Sequence, residues 1–302
     1  MPKLSVALWA TCLTPHLNGV GAWIAGIDAK LAEAKAQGAD ILVMPELAAI
    51  QWLSFAPQGT AYRDEIRWLA TQAPAALEGL KPLAQKHGIA LLAGSMPVVA
   101  AGEYFNRAHL FLPDGRMFAQ DKLALTPHEA DAKNWNLSPG TALTVIEWRE
   151  LRLAMPICFD IEQPELGAVL AGLNLDLIFV PAMTDTLAGY HRVFDCAKAR
   201  AVEAQAAICA VGAVGGTPYR AEPEANVSGA SVFLPCEEKL GASGVFAAIP
   251  PRGEDKGAGP MLVARDIPID AIRATRAGAA EVWRGVWSAK HLSVDDPKSK
   301  ER

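Results

Sequence analysis

Short apolar runs alternate along this chain with longer amphipathic stretches, and this alternation restricts the fold more than any other feature. The runs from Leu4 to Trp9, Asp40 to Pro45 and Asp176 to Val180 have the length and composition of buried strands. The stretches from Val20 to Gln37 and from Tyr190 to Ala206 have the length and periodicity of helices. Because strands that alternate with helices are typical of layered proteins, the pattern predicts an α/β fold.

The alternation continues along almost the whole chain without a linker. The 302 residues would suit one large α/β domain or two small ones, but no polar segment is long enough to divide them. The last residues, DDPKSKER, are charged and lack the pattern. We therefore predict one domain over residues 1–290 and a charged, disordered tail over residues 291–302.

Charge and cysteine content restrict the partner and the compartment. The formal net charge is −5, which gives no electrostatic reason to expect nucleic acid or an anionic membrane surface as a partner. No apolar run reaches the roughly 18 residues that a membrane span requires. The five cysteines are widely spaced and odd in number, which argues against a disulfide framework. We expect a cytoplasmic protein that binds a small molecule.

Polar residues follow several predicted strands at the point where each strand ends. Glu46 follows Ile-Leu-Val-Met-Pro45, Cys158 follows Leu-Ala-Met-Pro-Ile157, and Thr184 and Asp185 follow Leu-Ile-Phe-Val-Pro-Ala182. Ligands bind at the carboxyl ends of strands in α/β sheets because the loops leave the sheet there. Each residue taken alone is also explained as a loop residue that satisfies strand-end amides.

Cys158 is the cysteine best placed for catalysis. A thiol attacks well only as a thiolate, so a working cysteine needs a base or a cation beside it. Glu46 could accept the thiol proton, and Lys122 could stabilise the oxyanion that forms when a carbonyl is attacked. The sequence contains no GxSxG, GxxxxGK[ST] or GxGxxG motif, so it lacks the usual evidence for a serine hydrolase, a P-loop enzyme or a dinucleotide enzyme.

Four sequence boxes resemble, in their order, those of the nitrilase superfamily of carbon–nitrogen hydrolases. They are a glutamate box at Asp40-Ile-Leu-Val-Met-Pro-Glu46, a lysine box at Phe118-Ala-Gln-Asp-Lys122-Leu, a cysteine box at Ile157-Cys158-Phe-Asp160-Ile-Glu-Gln-Pro164-Glu165, and a later signature at Ala199-Arg200-Ala201-Val-Glu203-Ala-Gln205. The resemblance extends to about Trp287. Within the superfamily, the segment 181–192 resembles an amidase-like bacterial branch.

The resemblance implies a four-layer αββα sandwich and a thioester mechanism that needs no metal or organic cofactor. Cys158 would be the nucleophile, Glu46 the general base and Lys122 the oxyanion stabiliser. Glu129 would be an auxiliary glutamate that positions groups in the site, and the backbone N–H of Phe159 would be a second oxyanion donor. Residues 1–290 would then form a carbon–nitrogen hydrolase domain.

The resemblance also implies a homodimer or a larger homo-oligomer. Trp283 and Trp287 are candidates for packing between subunits. A metal site at His128, Glu129 and Asp131 is a competing interpretation of that cluster, but these ligands lack a third strong partner, so we expect no metal.

Substrate contacts are harder to assign from one sequence. The candidates are Trp52, Tyr104, Met183, Thr184, Asp185 and His191. Aromatic and Met residues more often belong to a core. His191, with Arg192 and Asp185, could contact a substrate carboxylate, or Asp185 could simply cap a solvated helix.

The fate of the thioester has several predicted alternatives. The first is hydrolysis of a linear amide or carbamoyl compound to an acid and ammonia or an amine. Nitrile hydrolysis or acyl transfer would use the same three residues. Phe159 and Asp160 favour an amide, because nitrile-hydrolysing members often carry tryptophan and glutamate at these positions. An alternative of another class is a catalytically silent binding module on this fold.

Overall fold

The computed structural model describes residues 4–255, 257–280 and 292–293, and these form two facing β-sheets with helices on the outside. The strands are β1 (Leu4–Trp9), β2 (Ile41–Val43), β3 (Ala90–Ala100), β4 (Glu103–Phe111), β5 (Met117–Asp121), β6 (Ile146–Trp148), β7 (Leu151–Ala154), β8 (Leu177–Ala182), β9 (Ala207–Gly212), β10 (Gly215–Gly216), β11 (Ala225–Asn226), β12 (Ser228–Phe233), β13 (Val245–Arg252) and β14 (Met261–Ile267). The α-helices are α1 (Val20–Ala36), α2 (Tyr62–Leu80), α3 (Leu83–His87), α4 (Pro127–Ala130), α5 (Pro164–Gly172), α6 (Leu187–Ala204) and α7 (Ile269–Ala274).

The two sheets have the same plan. Among the described residues, the first has the strand order β14-β1-β2-β3-β4-β5 and the second β13-β12-β9-β8-β7-β6. Strands β1, β2 and β3 run parallel, as do β7, β8 and β9, and antiparallel strands complete each sheet. The parallel strands end at the same edge of their sheet, so the loops that follow them lie near one another.

Strand β1 shows how the sequence produces the layers. Leu4, Val6 and Leu8 belong to the core cluster that includes the second sheet, whereas Ala7 and Trp9 belong to the cluster that includes α1 and α2. This alternation is the period of two expected of a strand that is buried on both faces. Helices α1 and α2 pack on the first sheet, and α6, with α5 beside it, packs on the second, so the predicted αββα sandwich is confirmed.

The segment from Tyr62 to His87 has a helical pattern, and its two prolines, Pro74 and Pro82, predict breaks or turn starts. In the structure α2 continues through Pro74 to Leu80, and a break occurs only at Pro82, before α3. An interior proline costs a helix about 3 kcal/mol. The buried face of α2, which packs against β3, offsets this cost.

Three predictions concern residues outside the described part of the chain. The domain boundary at residue 290 and the intersubunit candidates Trp283 and Trp287 lie there, as does the tail 291–302 apart from Leu292 and Ser293. Within the described ranges, no helix is both long enough and apolar enough to cross a membrane.

Candidate active site

Loops that follow four strands converge on one cavity of about 430 Å³. Glu46 follows β2, Lys122 follows β5 directly, Cys158 follows β7 and Met183 follows β8. The cavity is lined by Glu46, Leu47, Tyr62, Lys122, Thr126, His128, Glu129, Trp135, Cys158, Met183, Asp185, Glu222 and Glu224. The fold therefore brings Glu46, Lys122, Glu129 and Cys158 together although they are distant in sequence.

Lys122 is held between two carboxylates. Its Nζ lies 2.8 Å from Oε1 of Glu46, and 2.8 and 2.7 Å from the two carboxylate oxygens of Glu129. Burial alone would lower the pKa of Lys122, but the two negative charges outweigh it and raise that pKa above its usual value. Lys122 is therefore a permanent cation that stands beside the thiol.

Glu46 accepts hydrogen bonds on both of its carboxylate oxygens. Its Oε1 accepts hydrogen bonds from Lys122 and from Nδ2 of Asn106, and its Oε2 accepts one from the backbone N–H of Met183 at 3.0 Å. Burial raises the pKa of Glu46, Lys122 lowers it and the charge of Glu129 raises it, and the net direction is upward. A carboxylate with a raised pKa is a stronger base, which is what proton abstraction from a thiol requires.

Cys158 is nearly buried and lies at the start of a 3₁₀ helix (Cys158–Glu162). Its φ of 47° is in the left-handed region, which a residue with a side chain adopts at a cost of about 1–2 kcal/mol. The sulfur lies 3.7 Å from the carbonyl oxygen of Met183. Burial and the charge of Glu46 raise the pKa of the Cys158 thiol, while Lys122 opposes them. The resting group is therefore a thiol that needs a base, and Glu46 is the carboxylate whose charge acts on its pKa.

Asp160 connects the lysine segment to the cysteine segment. It is fully buried, and its two carboxylate oxygens accept hydrogen bonds from the backbone N–H groups of Leu123 (3.0 Å), Ala124 (2.7 Å) and Ile157 (2.8 Å). Burial raises the pKa of Asp160 to about 6, while hydrogen bonds from three backbone N–H groups oppose this rise because they favour the ionised carboxylate. We infer that an ionised Asp160 fixes the position of Lys122 relative to Cys158.

Glu129 both caps helix α4 and pairs with Lys122. It occupies the third position of helix α4, where its carboxylate accepts the backbone N–H of Thr126 at 2.9 Å and its own N–H donates to Thr126 Oγ1. This reciprocal pair is a capping box. The same carboxylate binds Lys122, so the cap fixes the partner of the buried cation.

Asn106 is a site residue that the sequence pattern does not reveal by itself. It is buried on β4, where its side-chain Nδ2 donates to Glu46 (2.9 Å) and to Glu129 (3.4 Å), and its backbone carbonyl oxygen accepts the backbone N–H of Lys122. The available signal is one uncharged polar residue within a strand-like run, Glu-Tyr-Phe-Asn-Arg-Ala-His-Leu-Phe. That signal alone could not identify which groups Asn106 would contact.

The loop that carries Glu46 rests on strand β3. Gly94 has a φ of +66°, and a Cβ at this position would lie 1.9 Å from the carbonyl oxygen of Pro45. The next residue, Ser95, accepts the N–H of Leu47 on its hydroxyl at 2.9 Å. The absence of a side chain at position 94 thus permits the close approach that places Glu46.

The chain matches the carbon–nitrogen hydrolase family over residues 21–248. It belongs to this family. A protein of Bacillus subtilis named probable hydrolase YhcX is 30% identical over 246 residues, which cover 78% of this chain and 44% of that protein. An omega-amidase of Danio rerio is 28% identical over 224 residues, which cover 70% of this chain and 75% of that protein. The chain thus spans less than half of the Bacillus protein.

The fold comparison agrees with the family match. An amidase of Nesterenkonia AN1 from the nitrilase superfamily superposes with a TM-score of 0.68 at 23% identity, covering 92% of this chain and 95% of that chain. The resemblance to the nitrilase superfamily is therefore confirmed. Every residue that lines the cavity of this carbon–nitrogen hydrolase family member lies inside the matched region.

Two of the residues expected to contact substrate line the cavity, namely Met183 and Asp185. Asp185 is exposed and does not cap helix α6, because Thr186 occupies that position and accepts the N–H of Gly189. Phe159 follows Cys158 in the 3₁₀ helix, and its role as an oxyanion donor stays a prediction.

The other four substrate candidates lie elsewhere. Trp52 is fully buried edge-on against Trp23, so it is a core residue instead. Tyr104 lies on β4, and its ring packs under the guanidinium of Arg67 from α2. The hydroxyl of buried Thr184 donates to the carbonyl of Val227 at 2.7 Å.

His191, the last of these candidates, is exposed on α6 and does not line the cavity. Its Nδ1 lies 3.3 Å from a carboxylate oxygen of Asp195, and the neighbouring Arg192 lies 3.6 Å from Glu162. Neither His191 nor Arg192 lines the cavity, and both contact carboxylates outside it, so this placement does not support the predicted contact with a substrate carboxylate.

The cluster considered for a metal is divided among other contacts. Glu129 binds Lys122, His128 packs against Tyr62 and Trp135, and Asp131 accepts a backbone N–H from the following turn. In the described part of the chain, no group of three or more His, Cys, Asp or Glu side chains is arranged to hold a metal ion.

Proposed function

We propose that this protein hydrolyses a C–N bond of a small linear amide or carbamoyl compound through a thioester on Cys158. The observation that carries the proposal is the position of Lys122, clamped between Glu46 and Glu129 beside the thiol in one cavity. Membership of the carbon–nitrogen hydrolase family and the likeness to an omega-amidase support it.

In the first step, Glu46 removes the proton from the Cys158 thiol and the sulfur attacks the amide carbonyl carbon. A C–S bond forms while the carbonyl oxygen becomes an oxyanion, which the cation of Lys122 and the N–H of Phe159 stabilise. The C–N bond then breaks as Glu46 returns the proton to the departing nitrogen. Ammonia or an amine leaves, and the acyl group stays on sulfur.

In the second step, Glu46 removes a proton from water, and the resulting oxygen nucleophile attacks the thioester carbon. The same oxyanion stabilisers act again. The C–S bond breaks, the carboxylic acid leaves, and the proton on Glu46 returns to the sulfur. One water molecule is consumed for each C–N bond cleaved, and no external oxidant or cofactor enters the balance.

Nitrile hydrolysis and acyl transfer remain competing forms of the proposal because they use the same nucleophile, base and cation. A nitrile would enter at the first step, and acyl transfer would replace water by another nucleophile in the second. A silent binding module is disfavoured because a buried cation, base and thiol together are costly to maintain.

We also propose a cytoplasmic homodimer or larger homo-oligomer with no nucleic acid or membrane partner. Strand β13 pairs with β12 at one edge of its sheet and exposes Val245 and Phe246, which gives an apolar surface for a second copy. Sedimentation of the purified chain tests this part. A monomer at all concentrations would contradict it.

Ammonia release tests the main proposal. The purified chain and its Cys158→Ala variant are incubated with a panel of aliphatic amides, carbamoyl compounds and nitriles. We expect release from at least one amide or carbamoyl compound, abolished in the variant. Release only from nitriles would favour the nitrilase form. Release that persists in the variant would contradict the thioester mechanism.

A further inference from the structure

We propose that the cavity selects an amide whose far end carries a positive charge, such as an alkylammonium group. This inference rests on the proposed function, because it names the substrate class of the same site. It begins from the charges that surround the cavity beyond the catalytic residues. Three further carboxylates line it, those of Asp185, Glu222 and Glu224.

Among the described residues that line the cavity, no cation is available to balance these carboxylates. Lys122 is the only lysine or arginine of that described lining, and Glu46 and Glu129 are already paired with it. Asp185 and Glu222 are exposed and form no ion pair with any other described residue. A substrate carboxylate near these residues would meet repulsion, whereas an ammonium group would find unpaired acceptors.

Arg220 is a buried cation close to the cavity, but it does not neutralise all of these carboxylates. Its side chain is fully buried, and it binds Glu65 through two nitrogens, with Nη2 at 2.6 Å from Oε2. Its Nη1 binds Glu224. Arg220 with Glu65 and Glu224 leaves one net negative charge, and Glu224 is the member of this group that faces the cavity.

Aromatic rings fix this carboxylate and wall the cavity. The hydroxyl of Tyr62 donates to Oε1 of Glu224 at 2.9 Å. The ring of Tyr62 contacts His128 edge-on at 5.2 Å and stacks on Trp135 at 6.0 Å. Such rings suit the methylene chain of a substrate, and they lower the local dielectric so that the ammonium–carboxylate attraction is stronger than in water.

The test compares three amides of the same length that differ at one end. They are 5-aminopentanamide (ammonium), hexanamide (methyl) and the monoamide of adipic acid (carboxylate), with homologues one methylene shorter and longer. We expect kcat/KM for ammonia release to favour the ammonium compound by about tenfold or more over the methyl compound, and by more over the carboxylate. The preference should weaken as ionic strength rises, since Asp185 and Glu222 are exposed to solvent.

Substitution of the exposed carboxylates tests whether they cause the preference for the ammonium compound. The double variant Asp185→Asn with Glu222→Gln should lower the ammonium-over-methyl ratio several-fold, mainly through KM. The matched control is Glu238→Gln, which removes one negative charge from an exposed residue that does not line the cavity and should leave the ratio unchanged. A ratio that the double variant does not change would overturn the assignment.

Binding to Cys158→Ala separates this inference from the proposed function. Calorimetric titration of the three compounds into this variant needs no turnover, and we expect the ammonium compound to bind about tenfold more tightly than the methyl compound. Preferential binding without ammonia release from the wild type would support the inference and contradict the hydrolase. Cys158-dependent release from all three compounds with equal efficiency, or equal or absent binding, would overturn the inference.

Discussion

Lys122 Nζ lies 2.8 Å from Glu46 Oε1 although the two residues are 76 positions apart, and both are almost completely removed from solvent. A buried ion pair of this kind adds little net stability, but removal of one partner leaves a costly unpaired charge. A substitution of either residue should therefore affect both the stability of the fold and the proposed activity. Glu129, on the other side of Lys122, makes the dependence stronger.

Lys122→Met should abolish ammonia release and destabilise the fold. Glu46 and Glu129 would remain buried without their cation, which costs about 3–5 kcal/mol. Chemical denaturation and the ammonia assay measure the two effects. Lys30→Met is the matched control, because Lys30 forms a solvent-accessible pair with Glu33 and should change stability by no more than about 1 kcal/mol. Equal stability of the two variants would contradict the prediction.

Glu46→Gln should separate thiol ionisation from turnover. The charge of Glu46 raises the pKa of the Cys158 thiol, so its removal should lower that pKa and shift iodoacetamide labelling of Cys158 to lower pH. Turnover should nevertheless fall by about 10²–10⁴-fold because no group accepts the proton. Peptide mapping follows labelling, with exposed Cys236 as the internal reference. A shift to higher pH would show that Glu46 does not act on the thiol as described.

Asn106→Ala tests a positioning residue. The amide of Asn106 stabilises the ionised form of Glu46, so its loss should raise the pKa of Glu46 further and move the acidic limb of the pH–kcat/KM profile to higher pH. A purely structural role would lower the amount of folded protein without moving this limb. The pH profile therefore distinguishes the two roles.

Gly94→Ala should damage the site through the backbone. The new methyl group would collide with the Pro45 carbonyl, and the residue would keep a strained positive φ, so we expect a loss of about 1–3 kcal/mol of stability together with lower activity. In the helix interior at position 26, a Cβ has open space, so Gly26→Ala should be stabilising by about 0.5–1 kcal/mol. Thermal denaturation of both variants measures the contrast. Similar shifts would mean that position 94 tolerates a side chain.

The sequence predicts those parts of the molecule that local pattern determines. Strand β1 begins and ends at the predicted residues, Leu4 and Trp9, because its apolar run is short and bounded. Glu46 and Cys158 are recognisable because each follows a buried strand at the edge where ligands bind. Local pattern does not predict contacts between distant segments. Tyr62 and Glu224 meet across 162 positions.

The differences between expected and observed positions have the same physical origin. Trp52 is an aromatic residue close to the glutamate box, but it packs in the core against Trp23, which lies on another element. His191 and Arg192 carry the right charge for a substrate carboxylate, but their direction depends on the face of α6 that packs against the sheet. Asn106 was missed because its role depends on Glu46 and Glu129, which are 60 and 23 positions away in sequence. To place each of these residues correctly, one must know which surfaces meet in three dimensions.

The most direct test of the central claim is the mass of the intact protein, quenched in acid during turnover of an amide. We predict a fraction of the wild-type chain heavier by the acyl group minus one hydrogen, mapped to the peptide that contains Cys158 and absent from Cys158→Ala. An adduct on another residue, or amide turnover by the Cys158→Ala variant, would contradict the account.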